Sequence, residues 1–492
     1  MTVKYQPVVG LEVHAVLETR SKMFCDCPVV DSTHDQANVA VCPVCAGMPG
    51  MLPVLNKAAV DYALRVALAL NCRINETSIF ARKSYFYPDL PKGFQISQYE
   101  EPLAEDGWLT IATDEGEQRV GIRRVHLEED TGKLTHIQNN DESHSLVDLN
   151  RSGVPLLEIV TEPELHSVQA VRAYAYSLRS ILRYLEVNSG DMEKGLMRIE
   201  PNISIRPLGS KEFGTRAEIK NLNSFRSLER ALNFELERQT KLVESGKPVK
   251  QQTLGWDDIS GKTLPQRSKE VAEDYRYFPE PDLPPLHVDA AWVEQVRATI
   301  PELPDQKMAR FIREDALSAY DANILVAERD IADFYEEVKS SSKKADAKLI
   351  AHWITGPLFS HLNEKAVSIQ AFALQPIAFA QLLDILANEE INPAAGRKVL
   401  AEMIASGKTA KIVVSDLGLK ALSDIRQLTD LIKKTIEENP QQVDEYLQGK
   451  EGIINWLFGQ AMAASQGRAN PQSLRDLLKE RLEVLRAQQE NK

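Results

Sequence analysis

Apolar and polar residues alternate with a period of two in several segments of the first 290 residues, and this period predicts β-strands. The clearest strands are predicted over residues 8–17, 121–130 and 191–206. Three further segments have the 3.6-residue period of a helix and follow a residue whose side chain can cap a helix. These helices are predicted to follow Asn56, Ser167 and Asn223 or Ser224, and to end near residues 70, 185 and 244. The mixture predicts an α+β domain.

Two hairpins are predicted within this first part of the chain. Residues 145–160 have the pattern of a strand, a tight turn and a second strand, and their Asn-Arg-Ser-Gly sequence suits a hairpin. Residues 255–263 imitate a phosphate-binding loop, but five residues separate the two glycines where such a loop has four. A hairpin turn is therefore predicted there instead.

From about residue 290 the pattern changes to helical periods with few strand signals. The Gly-Lys-Thr sequence at 407–409 is predicted to be a hinge, and the segments beyond it again have helical periods. The chain is therefore predicted to form three domains, with bounds 1–290, 291–407 and 408–492.

The composition is that of an ordinary globular protein, with 492 residues of which 43% are apolar and 26% are charged. The net charge of −13 argues against general coating of nucleic acid, so no DNA partner is expected, although a shaped RNA could contact basic patches. No run approaches the roughly 18 apolar residues of a membrane span, and the N-terminus lacks a secretory signal pattern. We therefore expect a cytoplasmic protein without a membrane contact.

Two ionisable residues interrupt the apolar strand predicted over 8–17. Glu12 and His14 are two positions apart, so they point the same way, about 7 Å apart at the rise of a strand. Ionisable groups in an apolar strand are costly unless they are paired or bind a ligand. The sequence leaves two interpretations open: a hydrogen-bonded Glu–His pair, or a pair that binds a ligand or takes part in catalysis.

Three adjacent acids, Glu128, Glu129 and Asp130, stand at the end of the strand predicted over 121–130, just before a Thr-Gly turn. Adjacent carboxylates repel one another unless water or a cation compensates them. A hard divalent cation such as Mg²⁺ prefers oxygen ligands of this kind and keeps positions open for phosphate. The alternative interpretation is a solvated acidic turn.

Four cysteines form a C-x-C…C-x-x-C arrangement: Cys25, Cys27, Cys42 and Cys45. Two such knuckles supply the four thiolates that tetrahedral Zn²⁺ needs and leave no open coordination position. The sequence therefore predicts a structural zinc site, with four incidental buried cysteines as the alternative. The fifth cysteine, Cys72, is predicted to be incidental.

Two segments beyond the acids have wholly polar strand faces. A face of this kind either lies in solvent or lines a site. The candidates for nucleotide binding on these faces are Arg198, Asn202, Ser204 and Lys220. A basic and aromatic segment at 82–93 could bind phosphate or a nucleic-acid end, or could pack as a tyrosine-rich corner.

Several blocks in a fixed order resemble one enzyme family over the whole chain. They include G-L-E-V-H (10–14), H-L-E-E-D-T-G-K (126–133), V-D-L-N-R-S-G-V-P-L-L-E-I-V (147–160), A-E-I-K-N-L-N-S-F (217–225), D-Y-R-Y-F-P-E-P-D (274–282) and G-Q-A-M-A-A-S-Q-G-R-A-N-P (459–471). The chain resembles the B subunits of the aspartyl/glutamyl-tRNA amidotransferases. The resemblance implies a cradle domain related to glutamine synthetase, followed by an all-helical domain and a small helical tail domain that binds tRNA.

The activity that the resemblance implies is amidation of misacylated tRNA. Members of the family use ATP and Mg²⁺ to phosphorylate the side-chain carboxylate of glutamate on tRNA(Gln) or of aspartate on tRNA(Asn). Ammonia that an amidase subunit releases from glutamine then displaces the phosphate. The chemistry is consistent, because phosphorylation gives a carboxylate the leaving group that it lacks.

Residue roles also follow from the resemblance. The family's Mg²⁺ and ATP ligands fall on Glu12, His14 and Glu129, with Glu128 beside the last of them. A further acidic position falls on Glu200, where the family commonly has Arg-Cys-Asp or Arg-Cys-Glu and this chain has Arg-Ile-Glu.

Two further parts of the chain match the family by position. Lys83 and Tyr85 match residues that line the ammonia route, and the four cysteines match the zinc-binding branch. The chain lacks the glycine- and serine-rich signature of an amidase, so an amidase subunit and a small bracing subunit are expected as partners. Two alternatives are a non-catalytic, zinc-stapled tRNA-binding scaffold and a free-standing ligase that uses free ammonia.

Overall fold

The structure is a computed structural model of the chain. It describes residues 4–31, 34–114, 116–138, 143–266, 275–365, 367–372, 374–419, 425–465 and 468–490. The chain divides into two compact units, Met1–Pro304 and Asp305–Lys492. The domain boundaries expected at 290 and 407 stay predictions.

The described part of the first unit contains sixteen strands and four helices. The strands are β1 (Tyr5–Val16), β2 (Arg73–Ile74), β3 (Thr77–Ser78), β4 (Phe80–Ser84), β5 (Phe94–Gln98), β6 (Ala104–Thr113), β7 (Gly116–Glu129), β8 (Lys133–Gln138), β9 (Ser143–Asp148), β10 (Pro155–Thr161), β11 (Met197–Pro207), β12 (Ala217–Lys220), β13 (Gln252–Asp257), β14 (Lys262–Pro265), β15 (Phe278–Pro279) and β16 (Leu286–His287). The helices are α1 (Lys57–Ala69), α2 (Val168–Tyr184), α3 (Phe225–Glu244) and α4 (Ala290–Arg297).

The first three helices begin where their capping residues predict. Asn56 Oδ1 accepts the backbone N–H of Ala58, and the hydroxyls of Ser167 and Ser224 accept N–H groups in the first turns of α2 and α3. Each side chain satisfies a donor that has no partner within its own helix.

A nine-stranded sheet organises the first unit, with the order β14-β13-β12-β11-β1-β10-β7-β6-β2. Neighbouring strands are antiparallel except β12 and β13, which are parallel. Helices α1, α2 and α3 pack against the sheet and share one apolar core with it. Three small sheets accompany it: β15-β4-β5, β16-β3 and β8-β9.

Strand β1, at the centre of this sheet, has two different faces. Val9, Leu11, Val13 and Ala15 are buried in the core beneath the helices. Because successive side chains of a strand point to opposite faces, the even-numbered residues lie on the face away from α1, α2 and α3. We call this second face of the nine-stranded sheet the site face.

The hairpin predicted over 145–160 is wrong. Strand β9 pairs with β8, whereas β10 pairs with β1 and β7. The Asn-Arg-Ser-Gly turn therefore passes the chain from one sheet to another, because turn sequence does not decide which strand becomes the hydrogen-bonded neighbour. The hairpin predicted at 255–263 is confirmed, since β13 and β14 pair antiparallel across it.

The described part of the second unit is helical. Its α-helices are α5 (Pro304–Asp315), α6 (Ala319–Val326), α7 (Arg329–Ser341), α8 (Ala347–Trp353), α9 (Phe359–Lys365), α10 (Pro376–Ala387), α11 (Pro393–Ser406), α12 (Ala410–Asp416), α13 (Ile425–Glu438), α14 (Pro440–Leu447), α15 (Ile453–Ala464) and α16 (Pro471–Glu490). A π-helical turn, Ile354–Leu358, joins α8 to α9, and a 3₁₀ turn spans Ile369–Ala371.

The last four helices share an apolar core of their own, which includes Leu428, Ile432, Leu457, Leu474 and Leu478. Among the residues that the structure describes, every helix is too short or too polar to cross a lipid bilayer. The predicted α+β class, with a helical region after it, is confirmed.

Candidate active site and metal centre

Neighbouring strands bring charged side chains to the site face in register. His14 lies opposite Glu158 of β10 and Arg198 of β11, and Glu12 lies opposite Glu200 of β11. The odd-numbered neighbours of these residues on β1 and β11 are apolar and buried in the core, so the charged residues share the other face. Glu12 and His14 therefore point the same way, as their spacing predicts.

Three side chains, His14, Glu128 and Glu158, form what we call the histidine cluster. His14 Nε2 lies 3.5 Å from Glu128 Oε1 and 3.4 Å from Glu158 Oε2. Burial alone would lower the pKa of His14, but the carboxylates of Glu158 and Glu128 outweigh burial and raise it to about 9. His126 Nε2 also lies 3.2 Å from Glu158 Oε2, and the two imidazoles hold the pKa of Glu158 well below its usual range despite burial.

A second group, Glu12, Glu200 and Glu218, forms what we call the glutamate cluster. Lys220 Nζ lies 3.0 Å from Glu200 Oε2 and 3.1 Å from Glu218 Oε1. Asn202 Nδ2 donates a hydrogen bond of 3.1 Å to Glu12 Oε1. Burial and the surrounding carboxylates raise the pKa of Glu12, which reflects negative charge that one ammonium group compensates only in part.

Both clusters suit a divalent cation by ligand type and by spacing. In each cluster, one donor atom from every member lies within 4.8 Å of the others. Opposite ligands of a magnesium octahedron with bonds of about 2.1 Å are about 4.2 Å apart, which is close to this spacing. The glutamate cluster offers only oxygen, which Mg²⁺ prefers, whereas the histidine cluster adds one imidazole.

Asp130 holds two arginines beside the histidine cluster. Its Oδ2 lies 3.4 Å from Arg198 Nη1 and 3.6 Å from Arg151 Nε. Burial would raise the pKa of Asp130, but the two guanidinium groups outweigh burial and lower it. Asp130 is therefore an ionised partner that fixes the guanidinium of Arg198, a predicted nucleotide contact, near His14.

Glu129 does not join Glu12 and His14 as the sequence prediction had it. It has the strand parity of Leu127, which is buried in the core, and its Oε1 accepts the backbone N–H of Ile96 at 3.0 Å. The ammonium of Lys92 contacts the same oxygen. Consecutive strand residues diverge, so the neighbouring Glu128 is the acid that stands beside His14.

Among the described residues, the remaining predicted site residues make no hydrogen bond or ion pair with a member of the two clusters, although the carboxylate of Glu128 is near enough to Tyr85 to affect its pKa. Lys83 Nζ lies 4.9 Å from the ring centroid of Tyr275, and the Tyr85 ring packs edge-on against the same ring. Tyr85 Oη donates to Gln95 Oε1 at 3.3 Å, and burial with nearby carboxylates raises the pKa of this phenol. Ser204 is buried on β11. The roles of Lys83, Tyr85 and Ser204 stay predictions.

The four predicted zinc ligands converge, and we call them the thiol cluster. Cys45 Sγ lies 3.8 Å from Cys42 Sγ and 4.0 Å from Cys27 Sγ, and Cys25 completes the group. Tetrahedral zinc with Zn–S bonds of about 2.3 Å places its sulfur atoms about 3.8 Å apart, so the spacing suits this metal. A hydrogen bond from Cys25 keeps the pKa of Cys45 below its usual range despite burial. The thiol cluster can hold a metal ion.

Sequence reasoning missed two members of the clusters, Glu158 and Glu218. Each is an acid within an apolar strand sequence, L-L-E-I-V and A-E-I-K, which is the signal that singled out Glu12. The signal was available, but the sequence does not reveal that β10 lies beside β1 or that β12 lies beside β11.

Two of the quoted sequence blocks are only partly described. Asp274, Gln466 and Gly467 lie outside the described residues. In the described part of the first block, Glu280 accepts two hydrogen bonds from Arg82, at 2.7 and 2.8 Å. The RNA contact expected of residues 459–471 stays a prediction.

Comparison with known families first defines the class of this protein. Residues 7–294 match the family described as the GatB/GatE catalytic domain, and residues 333–482 match the GatB domain. The first match covers both clusters on the site face and the thiol cluster.

Similar full-length proteins then specify the family. The aspartyl/glutamyl-tRNA(Asn/Gln) amidotransferase B subunit of Moorella thermoacetica is 47% identical over 97% of this chain and 100% of the relative. The proteins of the same name from Roseiflexus castenholzii and Persephonella marina are 46% and 43% identical, over 97% of this chain and 99% and 100% of the relatives. The chain belongs to the family of aspartyl/glutamyl-tRNA(Asn/Gln) amidotransferase B subunits, as its sequence blocks predict.

Proposed function

We propose that this chain is the ATP-dependent subunit of a tRNA amidotransferase. It phosphorylates the side-chain carboxylate of glutamate on tRNA(Gln), of aspartate on tRNA(Asn), or of both, and ammonia then displaces the phosphate to form the amide. The names of its relatives support this class of substrate. A carboxylate is a poor acyl donor, and phosphorylation supplies the leaving group.

One observation carries the proposal: strand β1 contributes a residue to each of two ligand clusters, and both residues lie on the site face. Glu12 belongs to one cluster and His14 to the other. Phosphoryl transfer asks little of a protein beyond positioning and the compensation of negative charge on both sides of the transferring group. A non-catalytic scaffold has no need for six ionisable ligands on one face of a sheet, so the clusters favour the enzyme.

The chain's own residues take separate roles in this proposal. Magnesium, when bound at the clusters, supplies positive charge against the phosphates of the nucleotide and the transferring group. The proposed ligands are Glu12, Glu200 and Glu218 for one ion, and His14, Glu128 and Glu158 for the other. Arg198 and Lys220 add fixed positive charge on the same face, and Asn202 orients Glu12. Ser204, which is buried on β11, is a further proposed nucleotide contact.

Other parts of the chain have supporting roles in the proposal. The thiol cluster holds one structural Zn²⁺, since four sulfur ligands leave no position for substrate. An amidase subunit and a small bracing subunit complete the enzyme, and Lys83 and Tyr85 line the route of ammonia. The last helices bind tRNA. We place the reaction in the cytoplasm, in agreement with the lack of any membrane-crossing helix among the described residues.

The test compares Glu12→Gln with Glu237→Gln in the assembled complex, supplied with each misacylated tRNA and with ammonium chloride as the nitrogen source. Ammonium chloride bypasses the amidase subunit, so the readouts report only on this chain: tRNA-dependent release of phosphate from ATP, and amide formation. Glu237 is an exposed glutamate of α3 and provides the matched control.

Loss of a metal ligand should reduce both rates by at least about 100-fold. Substitution of a residue that only supports a ligand already lowers metal affinity or activity about 10- to 100-fold. Glu237→Gln should keep the full rates. If Glu12→Gln also kept them, the site face would not be the phosphorylation site and the scaffold would become the better explanation. Activity without any tRNA would instead favour the free-standing ligase.

A further inference from the structure

Lys22 is a fully buried lysine that has no carboxylate partner among the described residues. Its side chain is 0% exposed. Its Nζ lies 2.7 Å from the backbone oxygen of Ala40, 3.2 Å from that of Leu149 and 3.6 Å from Cys45 Sγ. All three partners are acceptors, so they use the three N–H donors of an ammonium group.

A buried ammonium needs negative charge nearby, because its removal from water is otherwise very costly. The two carbonyl oxygens supply dipoles but no charge, and Cys45 Sγ is the one atom among the described contacts of Lys22 Nζ that can carry a negative charge. Four thiolates around one Zn²⁺ have a net charge of −2, and Lys22 touches one of those sulfurs. Lys22 therefore has the position and the charge of a counter-ion for the proposed zinc site, on which this inference rests.

The same ammonium reaches the turn at residues 149–153. This turn is tied to the cysteine segment at two more points: the Ala40 N–H donates to Asn150 Oδ1 at 2.9 Å, and the Ser152 hydroxyl donates to the Cys45 carbonyl at 3.2 Å. The thiol cluster, Lys22 and the turn thus form one contiguous set of polar contacts.

Contacts on the other side of the turn lead to the site face. Arg151 donates to the carbonyls of Thr131 and Gly132 at 3.0 and 2.7 Å. The Gly153 N–H donates at 2.9 Å to the carbonyl of Asp130, the residue whose carboxylate holds Arg198. The position of Asp130 therefore depends on the turn that Lys22 helps to anchor.

We infer that Lys22 is a positioning residue that couples metal binding at the thiol cluster to the turn at 149–153, and through it to Asp130 and Arg198. In the metal-loaded protein the thiolates hold the ammonium, and the ammonium holds the Leu149 carbonyl. Loss of the metal or of the ammonium releases the same turn. A metal centre without open positions thus contributes to the geometry of the site face.

The test uses Lys22→Met in the full chain, assembled with its partner subunits, since methionine keeps the length of the side chain and removes its charge. Lys57→Met is the matched control, because Lys57 is 71% exposed and its ammonium contacts Asp61 and the ring of Trp292 rather than the thiol cluster. Three quantities are measured for each protein: the affinity for Zn²⁺ in competition with a chelator, hydrogen exchange at the Ser152 and Gly153 amides, and thermal stability with and without zinc.

Lys22→Met should weaken Zn²⁺ binding at least about tenfold, the lower end of the effect of indirect metal partners. The two amides should exchange faster in loaded Lys22→Met and in zinc-free wild type, to a similar degree. Lys57→Met should match wild type in both measurements. A lysine that only fills space would instead lower thermal stability equally with and without zinc and would leave the Zn²⁺ affinity unchanged.

Two results would overturn the inference in distinguishable ways. Wild type that binds no zinc would remove the zinc proposal and the coupling together, while leaving the ligand clusters on the site face untouched. Wild type that binds zinc, with Lys22→Met of equal affinity or with unchanged exchange at residues 152 and 153, would remove the coupling alone.

Discussion

The pKa of His14 predicts that the magnesium ion proposed for the histidine cluster binds more weakly as the pH falls. Glu158 and Glu128 face the imidazole and raise its pKa to about 9, against the opposing effects of burial and Arg198. A metal-bound imidazole must be neutral, so metal binding has to displace this proton. At pH 7, two units below the pKa, the displacement costs about 2.7 kcal/mol, which makes the apparent affinity about 100-fold weaker than above pH 9.

Calorimetric titration of the metal-free complex with Mg²⁺ at pH 7, 8 and 9 measures this dependence. The affinity at the histidine cluster should rise about tenfold from pH 7 to 8 and about fivefold from pH 8 to 9, with about one proton released per ion at pH 7 and about half a proton at pH 9. Repeating the titration in buffers of different ionisation enthalpy counts the proton directly. An affinity that does not change with pH, with no proton released, would refute the assignment of His14 as a ligand.

The same shift fixes the sign of a stability effect in the metal-free protein. The folded pKa of His14 lies above the ordinary value of 6.5, so its contribution is fully present below pH 6.5 and is lost as the pH rises through about 9. The loss from this group is about 3 kcal/mol. Urea unfolding at the two pH values measures it, and equal stability would contradict the shift.

Glu158→Gln separates the proton effect from simple loss of a ligand. The variant removes the carboxylate that raises the pKa of His14 most. Mg²⁺ should therefore bind more weakly at every pH, and the pH at which its affinity changes should be lower than in wild type. Imidazole titration by NMR in the metal-free protein reports the pKa itself. Glu237→Gln, the exposed control, should leave the pKa of His14 and the pH dependence unchanged.

Three other substitutions test separate parts of the structure. Cys27→Ser should lower the zinc content measured by atomic absorption, whereas Cys72→Ala should retain it, because Cys72 is buried outside the thiol cluster. Equal loss of zinc from both variants would contradict the assignment of the thiol cluster as the zinc site. Lys220→Gln removes an ammonium group that lies 3.0 Å from Glu200 and 3.1 Å from Glu218 and competes with Mg²⁺ for these carboxylates. Without nucleotide, Mg²⁺ should therefore bind the glutamate cluster of the variant more tightly, and weaker binding would contradict the competition. Gly107→Ala places a Cβ 2.6 Å from a backbone oxygen and against the Cys72 sulfur, which should cost at least about 2 kcal/mol in urea unfolding. Gly459→Ala, with open space around it, is the control and should cost little; equal effects would refute the packing argument.

The sequence predicted those features that depend on local chemistry. The caps Asn56, Ser167 and Ser224 follow from side-chain acceptors placed one residue before an apolar helical period. The common direction of Glu12 and His14 follows from the period of a strand. The thiol cluster follows from cysteine spacing, because each pair lies within one short segment and needs little long-range information.

The residue pattern could not predict features that depend on which strands become neighbours in the sheet. Glu158 and Glu218 enter the clusters only because β10 lies beside β1 and β12 lies beside β11. The hairpin predicted over 145–160 failed for the same reason, since a turn sequence does not choose a partner strand. The resemblance grouped Glu129 with Glu12 and His14, but Glu129 bonds the backbone of Ile96 and the neighbouring Glu128 lies beside His14, because consecutive side chains of a strand point to opposite faces.

Strand β1 buries apolar side chains in the core on one face and presents Glu12 and His14 on the other. A single register has to serve both faces, and this limits how the sequence of the strand can change. Deleting a single residue ahead of Glu12 would turn Glu12 and His14 into the apolar core and place Leu11 and Val13 on the site face. Substitutions can therefore accumulate in this strand, but length changes cannot. Variation in length among functional relatives should be confined to the loops, and engineering of this enzyme should leave the count of residues in β1 untouched.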